Sequence, residues 1–252
     1  MTGLPTNATA GAPPNIVEES REPVLLAWSG GKDSALALDA LRADGSVRVE
    51  ALVTTVTADY ERISMHGVRR TLLAAQAESV GLPLIEARIP VGASNDSYEA
   101  AFAAALAPVR ARGITRVAYG DLFLADVRAY RERQLGELGM RGLFPLWLRD
   151  TAALAREFIA RGFEAVLVCV DPAKLDPSFA GRLFDAALLR DLPSGVDPCG
   201  ENGEFHTFVF NGPGFRHSVL VEIGSIVQRD GFVFCDLTPG VARGPHAAEQ
   251  RT

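Results

Sequence analysis

The sequence predicts an α/β protein: a Rossmann-like parallel sheet with helices on both faces, followed by a smaller C-terminal α+β part. Three observations lead there. Short apolar and β-branched runs alternate with amphipathic stretches at helical spacing through the body of the chain. The first run, Val24-Leu25-Leu26-Ala27-Trp28, passes directly into Ser29-Gly30-Gly31-Lys32-Asp33-Ser34 and then into a helical pattern. The end of the chain changes character, to strand-like runs joined by the hairpin signal Asp230-Gly231.

Taken in order, the first 22 residues are rich in Pro, Thr, Ala and Gly and are expected to be a disordered tail. Candidate strands of the parallel sheet are Val24–Trp28, Val49–Thr57, Leu84–Pro90, Thr115–Gly120 and Ala165–Asp171. Between them Val68, Leu72, Leu73 and Val80, and later Leu154, Phe158 and Ile159, recur at helical spacing; Ser97–Arg112 is alanine-rich and also helical in pattern. After Leu122 come a basic helix with Arg128, Arg131 and Arg133, then Phe144-Pro145-Leu146-Trp147. The β-rich end comprises Phe205–Phe210, Val219–Val227 and Phe232–Leu237, and residues 240–252 read as a second tail. The expected division is a nucleotide-binding domain over 23–121 and a C-terminal substrate-binding part over 122–239. Right-handed crossovers put ligands at the carboxyl ends of the strands, where SGGKDS and Gly120-Asp121 both lie.

Composition narrows the class. With 48% hydrophobic and 22% charged residues in 252, the chain has the balance of a soluble globular protein. A net charge of −6 weighs against a nucleic-acid partner. Three cysteines, Cys169, Cys199 and Cys235, form no CxxC and suggest neither a disulfide framework nor a zinc site. No apolar stretch approaches the roughly 20 residues of a membrane span, and the start lacks the pattern of a secretion signal. A cytoplasmic location and no membrane partner are therefore expected.

The chemistry-bearing segments follow from residue type. Gly30 and Gly31 lack Cβ atoms, so the backbone of SGGKDS can turn several N–H groups toward one anion. The helix that follows points its N-terminus at the same place, with hydroxyls from Ser29 and Ser34 and a mobile ammonium from Lys32. The alternative is a plain strand-to-helix turn with Asp33 or Ser34 as an ordinary N-cap. In CGENGEFHTF, Cys199 to Phe208, one loop holds Glu201 and Glu204; such a pair binds Mg²⁺, orients an amine, acts as a base, or is only a solvated acidic turn. In YGDLFLADVRAYRE, Gly120-Asp121 ends a strand, and Arg128 and Arg131 share a helix face that either grips an anion or is ion-paired in solvent. His66, in Ser64-Met65-His66-Gly67, is a candidate substrate contact or an ordinary surface histidine. No metal-ligating set is assigned.

SGGKDS differs from a Walker A loop and resembles the PP-loop of the N-type ATP pyrophosphatases, which cleave ATP to AMP and pyrophosphate. In this order SGGKDS, SMHG, GDLFLADVRAYRE, FPLW and CGENGEFHTF resemble the diphthine–ammonia ligase family (diphthamide synthase domain), over Pro23 to Phe215. The resemblance implies an adenine nucleotide alpha hydrolase-like fold and ATP-dependent amide formation through an acyl adenylate. It implies ATP with Mg²⁺, ammonium and a carboxylate acceptor, on a small molecule or a protein side chain; in the family the acceptor is diphthine, the modified histidine of elongation factor 2.

The match gives Ser29, Gly30, Gly31, Lys32, Asp33 and Ser34 the ATP role and Gly200, Glu201, Gly203 and Glu204 the substrate-loop role; Gly120 and Asp121, at the carboxyl end of a strand, join the nucleotide-binding set. Lys32, Asp33, Glu201 and Glu204 become the catalytic candidates, and His66, Arg128, Arg131, Gly200, Gly203 and His206 the substrate side. The sequence has Asn202 where the family commonly has glycine, and His206-Thr207 where it commonly has Glu-Thr, which leaves the acceptor open. A homodimer is compatible with this reading. Two other readings stay beside it: a PP-loop RNA-modifying enzyme, which would want a basic face and paired cysteines, and an ATP-binding regulator without turnover.

Overall fold

A computed structural model describes residues 21–57, 62–63 (backbone only) and 67–241. His66, Ser64 and Met65 lie outside the described residues, as do 1–20 and 242–252 of the expected tails.

The chain opens with β1 (Glu22–Ala27), α1 (Lys32–Ala43), β2 (Val47–Thr57), β3 (Arg62–Ile63), α2 (Arg70–Val80), β4 (Leu84–Ile89), α3 (Asn95–Arg110), β5 (Arg116–Ala118), α4 (Ala125–Glu137) and β6 (Arg141–Leu143). Five of these strands form a parallel sheet in the order β4-β2-β1-β5-β6, and β3 adds an antiparallel pairing at the end of β2. Glu22, expected in the tail, is the first residue of β1. The parallel sheet also runs past Asp121, because β6 pairs with β5 from Arg141 to Leu143.

The continuous apolar run of β1 reflects burial on both faces. Val24, Leu26 and Trp28 pack into one core with Leu36 and Leu38 of α1 and Leu72 and Leu73 of α2. Leu25 points the other way, into a second core with Phe102 and Leu106 of α3 and Leu135 of α4. Chain order runs outward from β1 to β2 on one side and jumps to β5 on the other. That reversal opens a crevice at the carboxyl ends of β1 and β5, the ordinary ligand position in such sheets.

The rest of the chain comprises α5 (Thr151–Ala160), β7 (Glu164–Val170), a short 3₁₀ turn (Pro177–Phe179), α6 (Ala186–Asp191), β8 (Phe205–Asn211), β9 (Val221–Arg229) and β10 (Phe232–Pro239). Its strands form a second, antiparallel sheet in the order β8-β7-β10-β9. The run Ala165–Asp171, expected in the parallel sheet, is therefore corrected: as β7 it is the antiparallel partner of β8 and β10. It is buried from Ala165 to Val170 and lacks the alternation that marks a half-exposed antiparallel strand. The hairpin expected at Asp230-Gly231 is present, with φ of 52° and 83° at the two turn residues, the pair of positive angles a two-residue hairpin turn requires. β7 and β8 share one core with β1, α1 and α2, so the two sheets are packed as a unit. Among the described residues no helix is long and apolar enough to cross a membrane.

Candidate functional site

At the end of β1 the indole of Trp28 donates to Gln76 Oε1 at 3.0 Å. Gln76, fully buried on α2, donates through Nε2 to the carbonyls of Gly30 at 2.9 Å and Val209 at 2.5 Å. The chain then turns through Gly30 at φ +78°, where a Cβ would lie 2.6 Å from Gln76 Oε1; both facts reserve the position for glycine. Gly31 is the N-cap of α1 and has no side chain to cap with. The cap comes from the second sheet: Lys32 N–H donates to Thr207 Oγ1 on β8 at 3.0 Å. Val209 N–H also donates to the Gly30 carbonyl at 2.9 Å. Inside the loop, Ser34 Oγ donates to the Gly31 carbonyl at 2.8 Å and Gly31 N–H to Ser29 Oγ at 3.3 Å.

Opposite this loop, β5 leads into Tyr119-Gly120-Asp121. A Cβ on Gly120 would lie 2.8 Å from the backbone carbonyl of Asp33, so the chain leaving β5 meets the first turn of α1 backbone to backbone. Asp121 is held in a two-point ion pair by Arg131 of α4, Nη2 at 3.1 Å from Oδ1 and Nε at 2.6 Å from Oδ2. The Arg131 guanidinium also lies 4.3 Å from the Tyr119 ring centroid. Burial lowers its pKa, but Asp121 and then Tyr119 outweigh that and raise it. Arg128 is placed differently: it pairs with Glu132 at 2.8 Å and stacks over Phe144 and Trp147 at 4.5 and 4.7 Å.

The acidic loop closes the third side, and Asp197 organises it. Its Oδ1 accepts from Cys199 N at 2.9 Å and Glu201 N at 3.2 Å, and its Oδ2 accepts from Thr151 Oγ1 at 2.6 Å. Glu201 reaches across to the β5 end, where Oε1 accepts the Leu122 N–H at 2.8 Å. Glu204 turns inward instead: Oε1 accepts from Asp197 N at 3.0 Å and Asn202 Nδ2 at 3.2 Å, and the residue is 3% exposed.

Between the three segments lies a cleft of about 310 Å³. Ser29, Gly31, Lys32, Asp33 and Ser34 line it from the glycine loop, and Gly120, Asp121 and Arg131 from the β5 side. Gly200, Glu201 and His206 line it from the acidic loop and β8. Gly30 backs the loop, while Arg128, Gly203 and Glu204 do not line the cleft. Thr54, Tyr98, Phe102, Tyr119 and Thr207 line it as well and lie outside the set of sequence candidates. Phe102 is part of the helical apolar pattern and Tyr119 of a strand, so neither carries a local signal that separates it from core.

The cleft is electrostatically uneven. Lys32 is 3% exposed, with Nζ 2.8 Å from Asp33 Oδ2 and 5.7 Å above the Phe205 ring. Burial pulls its pKa down, yet Asp33 first, then Cys199 and Glu201, turn the net shift upward. Burial pushes Glu201 up to about 7 against the opposing Leu122 hydrogen bond. Burial, then Lys32, lowers His206 to about 4. Burial likewise lifts the Cys199 thiol to about 12, which makes it a poor nucleophile. Among the described residues no group of three or more His, Cys, Asp and Glu is arranged to hold a metal ion.

Comparison with known proteins places the chain among relatives. The diphthamide synthase N-terminal domain matches residues 23–142 and the diphthamide synthase C-terminal domain matches residues 150–238. Among curated proteins, the chain is similar to diphthine–ammonia ligase of Rattus norvegicus, 29% identical over 133 residues, which is 50% of each chain. It is similar to that of Homo sapiens at 31% over 44% of each chain, and to that of Danio rerio at 34% over 39% of this chain and 41% of the other. The matched region thus spans about half the length of these relatives. Matched in order by both domains, on either side of the cleft they form together, the chain belongs to the diphthamide synthase family.

Proposed function

We propose that this protein is an ATP-dependent amide ligase that forms AMP and pyrophosphate, with ammonium as nitrogen donor and a carboxylate as acceptor. The observation that carries the reading is the glycine loop at the sheet's reversal point, open to a cleft whose far wall is the acidic loop. Gly30 and Gly31, the hydroxyls of Ser29 and Ser34 and the first turn of α1 suit a pyrophosphate leaving group. Lys32 brings a buried ammonium to the same place, and an interaction that strengthens as charge develops favours the transition state. The acceptor carboxylate would attack the α-phosphorus, pyrophosphate would leave, and ammonia would then displace AMP from the acyl adenylate.

In this proposal residues 23–121 handle the nucleotide and 122–239 the acceptor, with Arg131 keeping Asp121 in register between them. Asp33 acts by holding Lys32, and Glu204 by shaping the loop that presents Glu201. Gly200 and His206 stand on the acceptor side of the cleft. The described residues do not form a Mg²⁺ cage: Asp33 and Asp121 already pair with Lys32 and Arg131. A Mg²⁺ ion would come with the phosphates, as is usual for nucleotide sites. The unpaired, buried Cys169, Cys199 and Cys235 suit a reducing, cytoplasmic compartment.

The relatives' name makes diphthine the first acceptor to test. Purified protein is incubated with ATP, ammonium and diphthine-bearing elongation factor 2, and the nucleotide products and the acceptor's mass are measured. AMP, pyrophosphate and conversion of carboxylate to amide are expected, with ¹⁸O passing from a labelled carboxylate into AMP. ADP and phosphate as main products, or unlabelled AMP alongside amide, would overturn the mechanism.

A further inference from the structure

The cleft holds three carboxylates whose circumstances differ. Asp33 is bound to Lys32 at 2.8 Å, and Asp121 is clasped by Arg131 at 2.6 and 3.1 Å. Glu201 pairs with no side-chain cation among the described residues; its one partner is a backbone amide, Leu122 N–H, at Oε1. That single bond fixes the carboxyl group at the cleft wall and leaves Oε2 for something that enters. The geometry points to Glu201 as the base that takes a proton from ammonium inside the cleft, producing the ammonia that attacks the activated acyl group. This role rests on the ligase reading above and goes beyond it by assigning the proton.

Chemistry requires such a group. At neutral pH ammonia is almost all ammonium, which has no lone pair to attack with. Glu201 accepts one N–H proton, and the freed pair forms the C–N bond at the acyl carbon. The C–O bond to AMP breaks with its electrons passing to the phosphate oxygen, and a second proton leaves the new nitrogen to solvent as the amide forms. An ordinary carboxylate is too weak a base to share ammonium's proton well. Burial lifts Glu201 to about 7, against the Leu122 hydrogen bond and Lys32 and with help from Asp33 and Asp121. The other groups around it are Asp197 beneath its backbone, the Cys199 thiol and a His206 held neutral on β8.

Glu201→Gln tests the assignment, because an amide oxygen can still accept the Leu122 N–H while nothing remains to take a proton. Wild type and variant are compared with diphthine-bearing elongation factor 2, once with ammonium and once with hydroxylamine, which is already neutral at the assay pH and attacks without prior deprotonation. The variant should lose about 10²-fold or more of amide formation with ammonium, while hydroxamate forms at a rate close to wild type. The wild-type rate with ammonium should also rise with pH through about 7, and this limb should be absent with hydroxylamine. Equal loss with both nucleophiles would overturn the proton role and leave only positioning; unchanged amide formation would overturn it outright. Wild type yielding neither amide nor hydroxamate would instead overturn the ligase reading, and this role with it.

Discussion

Thr207 Oγ1 accepts the backbone N–H of Lys32 at 3.0 Å across 175 residues of sequence, so the helix that follows the glycine loop is capped by a strand of the other sheet. Thr207 is 3% exposed, and its carbonyl would stand 3.1 Å from a Cβ on Gly31. Thr207→Val removes the cap without changing shape and leaves a buried N–H unpaired, which should cost about 1–2 kcal/mol and weaken ATP binding. Thr207→Ser should restore both. Denaturant titration and calorimetric ATP binding check this, and a Val variant with wild-type stability would refute the cap.

Two glycines should answer alanine in opposite directions. At Gly120 a new Cβ meets the Asp33 backbone at 2.8 Å, and backbone cannot swing aside. Gly120→Ala should lower stability by about 1–3 kcal/mol through overpacking and reduce ATP affinity further. Gly136, inside α4, has nothing within 4 Å of a built Cβ. Gly136→Ala should stabilise by about 0.5–1 kcal/mol and leave ATP binding alone. Thermal melts with and without ATP separate the two.

Lys32→Ala should lower turnover by about 10²-fold or more while the fold survives, since a buried ammonium beside the glycine loop acts mainly on developing charge. Lys32→Arg should recover only part of it, because a planar fork is a poor substitute for a compact ammonium in this wall. Steady-state AMP release, with circular dichroism to confirm folding, measures both. Near-normal turnover in a folded Ala variant would remove Lys32 from the chemistry.

His206 gives stability a defined acid dependence. Its folded pKa is lowered to about 4, by burial first and Lys32 second, from the usual 6.5. The unfolded chain therefore binds a proton that the folded one refuses, so this contribution is complete above 6.5 and declines as pH falls toward 4. His206→Gln should flatten that part of the stability curve. Urea unfolding at stepped pH is the measurement, and an identical slope in the variant would show that the imidazole is not held neutral.

The features legible in the sequence are those whose signal is local. β1, the glycine loop and α1 follow one another without a break, and Asp230-Gly231 marks its hairpin because both turn residues need positive φ. β7 misleads because burial on both sides erases alternation, whichever sheet a strand joins. β6 is three residues with a glycine at its centre, too short to carry a pattern. Gln76 is one of several polar residues on α2 until Trp28, Gly30 and Val209 are brought around it. Thr207 reads as an ordinary strand threonine, and only the approach of β8 to α1 makes its hydroxyl a cap. Glu201 and Glu204 are indistinguishable in their loop; the Leu122 amide draws one to the cleft and the Asp197 amide draws the other away.

The dependence of α1 on β8 has a consequence for a chain made from its N-terminus. The whole SGGKDS sequence leaves the ribosome well before Phe205–Asn211, and N-terminal segments begin to fold first. Yet the Lys32 amide has no Thr207 to meet, and the Gly30 carbonyl no Val209, until the strand Phe205–Asn211 has emerged. A nascent chain halted before Phe205 would carry the complete loop sequence and still lack the geometry to grip a nucleotide. Any nucleotide grip at this loop thus arises only after the strand that completes it has been made.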